Sequence, residues 1–227
     1  MVGLLRRKPR RVLIDIDTQI DAVCLNGRDR SLSLRAIRRL CAWARVYKYP
    51  VISTSLSRRA DSVFDLPDHA PRCVEGSPGQ EKIHYTLLPS AVRFGPENRL
   101  DLPRNILSTC QQVIFEKRIE DPFTQPRADR LLTDIKADEL IVFGIGAENA
   151  VKETVLGLLN RRKRVLIVAD AIIGREDKTT HLALRLMETK GAKIVTTESL
   201  TGKSRLTGQA GALQRLKKAL SVASSSN

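Results

Sequence analysis

The sequence predicts one α/β domain, a three-layer α/β/α arrangement around a six-stranded parallel sheet. Three observations lead there. Short runs apolar on both faces recur along the chain, as strands must be when helices cover a sheet on each side. Between them lie stretches whose apolar residues return at helical spacing, so strands and helices alternate. The length, 227 residues, allows one sizeable core. The domain is expected over residues 11–200, behind a basic arm at 1–10 and ahead of a basic, serine-rich extension at 201–227.

The first strand is Arg11–Asp17, apolar until it ends in acid. Residues 18–30 form a loop, and Ser31 or Ser33 caps a helix that buries Ile37, Leu40, Cys41 and Ala44. Pro50 ends that helix and Val51–Thr54 is the second strand. Residues 56–111, rich in proline, glycine and polar side chains, are expected as loops crossing the mouth of a site. Val113–Glu116, ending at Lys117, is the third strand and Arg127–Lys136 the next helix. Leu140–Phe143 is the fourth strand; it passes through Gly144, Ile145 and Gly146 into a helix near Glu148. Arg164–Asp170 is the fifth strand, His181–Lys190 a helix closed by Gly191, and Lys193–Thr196 the sixth strand. A last helix is expected at 212–223.

Charge and cysteine content narrow the partners. The net charge of +14 favours anionic ligands or nucleic acid, though aromatic residues, at 4%, are few for a stacking platform. The cysteines Cys24, Cys41, Cys73 and Cys110 lack zinc or redox-pair spacing and read as free thiols of a reducing compartment, the cytoplasm. No apolar run is long enough to span a membrane.

In a parallel sheet with right-handed crossovers, ligands bind outside the carboxyl ends of the strands. Asp17, Lys117 and Ala150 all fall there. A carboxylate and an ammonium in one pocket can pass a proton to and from a nucleophile, while a buried ion pair of no catalytic meaning has the same spacing. The strand-glycine-helix turn at 144–150 presents backbone N–H groups suited to an anion or oxyanion. The residue where a nucleophile would sit is Ala150.

Five segments, in order, carry a specific resemblance. Asp17-Thr18-Gln19-Ile20-Asp21 resembles the D-x-Q-x-D segment of the isochorismatase-like cysteine hydrolases, which include the nicotinamidases. Arg72-Cys73-Val74-Glu75-Gly76-Ser77-Pro78-Gly79 resembles their H-C-V-x-G-T-x-G loop, and Phe115-Glu116-Lys117 the strand ending in the catalytic lysine. Gly144 to Val151 resembles G-[VI]-[AT]-T-[DN]-x-C-V, and Asp170-Ala171 with His181, Ala183, Leu184 and Gly191-Ala192 the downstream signature. The resemblance implies a Rossmann-like sheet, a dimer or tetramer, and hydrolysis of amides or related bonds. It makes Asp17 the general base, Lys117 its partner, and the N–H groups of Gly146 and Ala150 an oxyanion hole. It also implies a cis peptide at Ile145–Gly146.

The departures are as informative. Alanine stands at 150 where the family has its nucleophilic cysteine. Thr54-Ser55-Leu56-Ser57-Arg58-Arg59 stands where nicotinamidases carry metal ligands, Arg72 replaces a histidine, and His69 and His84 lack ligand-spaced partners. No metal or cofactor is therefore expected. Asp15 occupies a position that the pattern makes apolar, and needs a cation, for which Arg72, Lys117 and Arg118 are candidates. The leading expectation is a catalytically impaired relative that keeps a small-molecule or anion pocket around Asp17 and Lys117. The alternatives are a hydrolase with a non-cysteine nucleophile, such as water activated by Asp17, and a basic nucleic-acid-binding scaffold.

Overall fold

The computed structural model describes residues 9–23, 30–61 and 72–202. The expected helix at 212–223, most of the basic arm, Cys24 and His69 lie outside the described residues. The sheet has seven parallel strands in the order β3-β4-β2-β1-β5-β6-β7, one more than the sequence predicts. They are β1 (Arg11–Ile16), β2 (Val51–Leu56), β3 (Ala91–Phe94), β4 (Gln112–Lys117), β5 (Glu139–Ile145), β6 (Val165–Ile173) and β7 (Lys193–Val195). The added strand, β3, is an edge strand within the segment expected as loops. Three of its four residues are exposed, so it has no apolar run to betray it.

The helices are α1 (Ile20–Val23), α2 (Ser31–Tyr47), α3 (Ile106–Thr109), α4 (Pro126–Asp134), α5 (Lys152–Asn160), α6 (Asp177–Thr189) and α7 (Thr197–Thr201). The helix expected over 127–136 starts and ends earlier. Pro126 takes its first position, the Gln125 side chain accepts from the Ala128 N–H, and Ile135 turns extended. The helix expected from His181 begins four residues sooner, and leaves His181 exposed within it. Its start is held by a residue on another element: Glu148 accepts from the Arg175 N–H and from the hydroxyls of Thr179 and Thr180. A cap supplied across the fold leaves no local trace in sequence.

Each face of the sheet has its own core. Ile14, Ile52, Phe115 and Val142 pack with α4, α5 and α6 on one side. Leu13, Val51, Ile141 and Phe143 pack with Ile37, Leu40, Cys41 and Trp43 of α2 on the other. Trp43 is thus a core residue, as its place on the helix suggests.

β1 is the centre of this arrangement. It pairs with β2 on one side and β5 on the other, so the strand order reverses beside it. The crevice at the carboxyl ends of β1 and β5 is where parallel sheets of this kind bind ligands. β1 and β5 also approach closely here: a Cβ on Gly144 would lie 2.1 Å from the Ile16 carbonyl oxygen, and Gly144 has φ +133°. Only glycine fits there.

Candidate active site

The carboxyl ends of β1 and β4 bring Asp17 and Lys117 together. Lys117 Nζ lies 2.6 Å from Asp17 Oδ2, and the Thr54 hydroxyl donates to Asp17 Oδ1 at 2.6 Å. Lys117 is 1% exposed and Asp17 7%, so the pair is largely withdrawn from water while Asp17 keeps a small opening. Thr54 occupies a segment where the resemblance would put a metal ligand; here it holds the carboxylate instead. Among the described residues no three histidine, cysteine, aspartate or glutamate side chains converge as a metal site would require.

Asp17 has φ 47°, a left-handed backbone that breaks the alternation of β1. Asp15, two residues earlier, belongs to the face packed on α2. The turn at Asp17 swings its carboxylate to Thr54 and Lys117, which share the opposite face with Ile52 and Phe115.

Asp15 finds its cation on a residue that no sequence pattern marks. None of Arg72, Lys117 and Arg118 pairs with it; the partner is Lys82, whose Nζ lies 2.9 Å from Asp15 Oδ2 with both side chains fully buried. The hydroxyls of Thr18 and Ser53 also donate to Asp15, each at 2.9 Å, and Lys82 donates to Thr18 Oγ1 at 2.8 Å. Gln112 extends the network by donating to Ser53 Oγ and to the Thr86 carbonyl. Every charge in this cluster has a partner, the condition under which a buried pair is tolerated.

The two motif segments at the site hold one another. Gln19 accepts from the Leu56 N–H and donates to the carbonyls of Leu56 and Gln80. Asp21 accepts from the Cys73 N–H at 2.8 Å, and Gly79 passes so close that a Cβ there would overlap the Asp21 carboxylate. These residues dock the 72–83 loop against the end of β1. Beyond the loop, Arg118 joins Glu75 at 2.7 Å, an exposed pair in which the guanidinium bond holds the Glu75 carboxyl below its usual range.

The turn after β5 departs from the expectation in one respect. The described residues contain no cis peptide, so the bond at Ile145–Gly146 is trans. The chain reverses instead through Gly146 itself, in a left-handed conformation at φ 88°, into a wide helical turn, Ala147–Val151, ahead of α5. The Gly146 N–H donates to the Ile173 carbonyl at 2.8 Å. An oxyanion role for that group would require this bond to open.

Ala150 sits on the wide turn, 3% exposed, with its methyl in the same apolar core as Ala147, Val151 and Val155. Gly146 and Ala150 are neighbours: a Cβ on the first would lie 3.6 Å from the Cβ of the second. The side chain at this position is a packing methyl. Among the described cysteines, Cys73 feels the charges of Asp17 and Lys117. Burial first, then the Asp17 and Asp21 carboxylates, push its thiol up to about 12, so near neutral pH it is protonated and a poor nucleophile. Burial also pushes the Cys41 thiol, in the α2 core, far above its usual value. Cys110 donates to the Ile106 carbonyl away from the site.

No curated protein matches the chain. Among solved structures, an isochorismatase family protein from Desulfovibrio vulgaris subsp. vulgaris str. Hildenborough superposes with a TM-score of 0.64 at 21% identity, covering 85% of this chain and 97% of its own. A nicotinamidase/pyrazinamidase from Bacillus subtilis gives 0.64 at 18% identity, covering 82% and 99%. A ribonuclease from Caenorhabditis elegans gives 0.58 at 21% identity, covering 86% and 82%. At these identities the structures share the fold. The family model of the isochorismatase domain matches residues 11–199, the whole span from the start of β1 through β7, and with that match the chain belongs to the isochorismatase family.

Proposed function

We propose that this chain is a member of its family with no thiol at the turn after β5, silent toward covalent amide hydrolysis, whose Asp17–Lys117 pocket binds a small polar or anionic molecule. The observation that carries the reading is Ala150. Acyl transfer through the protein needs a nucleophile at the turn after β5, and a methyl group has no lone pair to offer. What remains is an ion pair with Thr54 bound to Asp17, a motif loop docked over it, and backbone N–H groups at a helix start. Such a set can hold and orient a ligand without reacting with it.

The test pairs turnover with binding. Ammonia release from nicotinamide is measured with the purified protein and with Asp17→Asn, and thermal shifts are recorded with nicotinamide and nicotinate. The expected result is no release above background, with a ligand-dependent rise in melting temperature that Asp17→Asn removes. Neither release nor any shift would overturn the pocket; release that depends on Asp17 would overturn the silence.

A second reading rests on the intact Asp17–Lys117 pair. A substrate that brings its own hydroxyl, or a bound water, needs no protein thiol. Asp17 would take the proton from the attacking oxygen and Lys117 would give one to the departing group. The pair, 2.6 Å apart, would then reset by passing a proton from the carboxyl back to the amine. The likeness to a chain named as a ribonuclease bears on this reading, because the 2′-hydroxyl of RNA is such a nucleophile. A short RNA added to the same assay distinguishes it: cleavage to a 2′,3′-cyclic phosphate, lost in Asp17→Asn, is its expected signature.

A further inference from the structure

A cleft of about 650 Å³ opens at the amino ends of the strands, the end of the sheet opposite Asp17. Its floor is apolar, with Val12, Pro50, Ile106 and Ile135, and Tyr49 forms part of the wall. Its lining carries four cations, Arg10, Arg11, Arg104 and Lys136, against one acid, Asp134. Arg11 is partly balanced by Glu139 at 2.9 Å and Arg10 weakly by Asp138 at 4.0 Å. Arg104 and Lys136 are exposed and have no acidic partner among the described residues. Lys163, on the turn before β6, adds another positive charge beside the cleft by donating to the Ile135 carbonyl at 2.9 Å.

Three of the chain's nine aromatic residues meet beside this cleft. The chain has one tryptophan and three tyrosines, and Trp43, Tyr47 and Tyr49 form one cluster here. Tyr47 and Tyr49 stack nearly parallel, 13° apart with ring centroids at 5.9 Å, and Arg11 lies over Trp43. Tyr47 is 60% exposed although Trp43, the other ring of its helix, is buried. An exposed ring, a cleft with an apolar floor and unpaired cations around them form the combination that holds unstacked bases and the phosphates between them. A duplex hides its base faces and cannot use such rings. A free nucleotide would fill the cleft but leave the charge beyond it unmatched.

We propose that the amino end of the sheet binds single-stranded nucleic acid, with bases on Tyr47 and Tyr49 and phosphates on Arg104, Lys136 and Arg10. The test uses the full chain and a fluorescein-labelled twelve-nucleotide oligouridine, with the matching oligothymidine as a second arm, read by anisotropy from low to high salt. Binding that weakens steeply with salt is expected. Preference for one oligonucleotide identifies RNA or DNA as the natural strand.

Tyr47→Ala should weaken binding about fivefold or more, the loss of one stacking contact. Arg104→Gln with Lys136→Gln should weaken it and flatten the slope of log K on log salt by about 1.4, two phosphate contacts at roughly 0.7 each. Lys178→Gln with Arg185→Gln on α6 is the control of equal charge change, and circular dichroism verifies that each variant folds. Absence of binding at low salt, an equal loss in the control, or an unchanged affinity in Tyr47→Ala would each overturn the proposal. So would ATP competing as well as the oligonucleotide at equal phosphate concentration, which would make the cleft a site for free nucleotides.

Discussion

Replacing Lys82 by methionine isolates the Asp15 charge in the sheet core. The substitution keeps most of the side-chain volume and removes the ammonium 2.9 Å from Asp15 Oδ2. Deleting one partner of a buried pair costs about 3–5 kcal/mol, because the other charge is left without compensation. Asp15 would retain the hydroxyls of Thr18 and Ser53, while Thr18 would lose its contact with Lys82, so the lower end of that range, about 3 kcal/mol, is the figure to expect. For a chain of this size that corresponds to a fall in melting temperature of roughly 6–12 °C. The assay is urea unfolding followed by circular dichroism, run on Lys82→Met, Asp15→Leu and the double variant. The double variant should be markedly more stable than the sum of the single losses predicts, since two apolar side chains then meet where two charges met. A loss below about 1 kcal/mol in Lys82→Met, or simple additivity in the cycle, would refute the claim that Lys82 compensates Asp15.

Other outcomes follow from the same geometry. Thr54→Val should raise the dissociation constant of any pocket ligand that Asp17→Asn affects, because Asp17 loses a donor at 2.6 Å; isothermal titration reads it. Gly144→Ala should destabilise the fold by about 3 kcal/mol or more, visible as poor expression and a lowered melting temperature, since its Cβ has no room and φ is +133°. Glu148→Gln should weaken the start of α6 by about 1 kcal/mol near neutral pH. Its pH dependence has a defined sign. Burial raises the Glu148 carboxyl, but hydrogen bonds from Thr179 and from the N–H groups of Glu148, Arg175 and Glu176 outweigh it and hold the group below its ordinary 4.5. The depressed folded-state value means that its stabilisation is present above the ordinary glutamate range and fades as pH falls through the folded-state value. Unfolding curves of wild type and Glu148→Gln should therefore converge in acid.

Much of the site was legible because its signals are local. Asp17 ends an apolar run, Lys117 ends another, and the glycines around Ile145 mark the turn that carries Ala150. Parallel order then places all three at the same end of the sheet. What escaped the reading depends on contacts between distant segments. Lys82 lies in an irregular stretch with no periodicity, so nothing local marks it as fully buried or as the partner of Asp15. β3 is exposed and short, and α6 takes its cap from Glu148 on another element. The trans bond before Gly146 and the engagement of its N–H by Ile173 likewise depend on how β6 approaches, which the motif does not specify. Aromatic residues are sparse by count, and the meeting of Trp43, Tyr47 and Tyr49 beside one cleft is a property of packing alone.

The left-handed turn at Asp17 makes the sheet an insulator between two circuits. Asp15 and Asp17 are nearly adjacent in sequence, yet one discharges into Lys82 on the α2 side and the other into Lys117 on the opposite side. Neither lysine can cross the layer of backbone to serve the other's carboxylate. The two networks touch only through the backbone of Thr54, whose carbonyl accepts from Lys82 at 3.4 Å while its hydroxyl donates to Asp17. The chain can alter or abandon chemistry at one face while the other keeps the first strand in register.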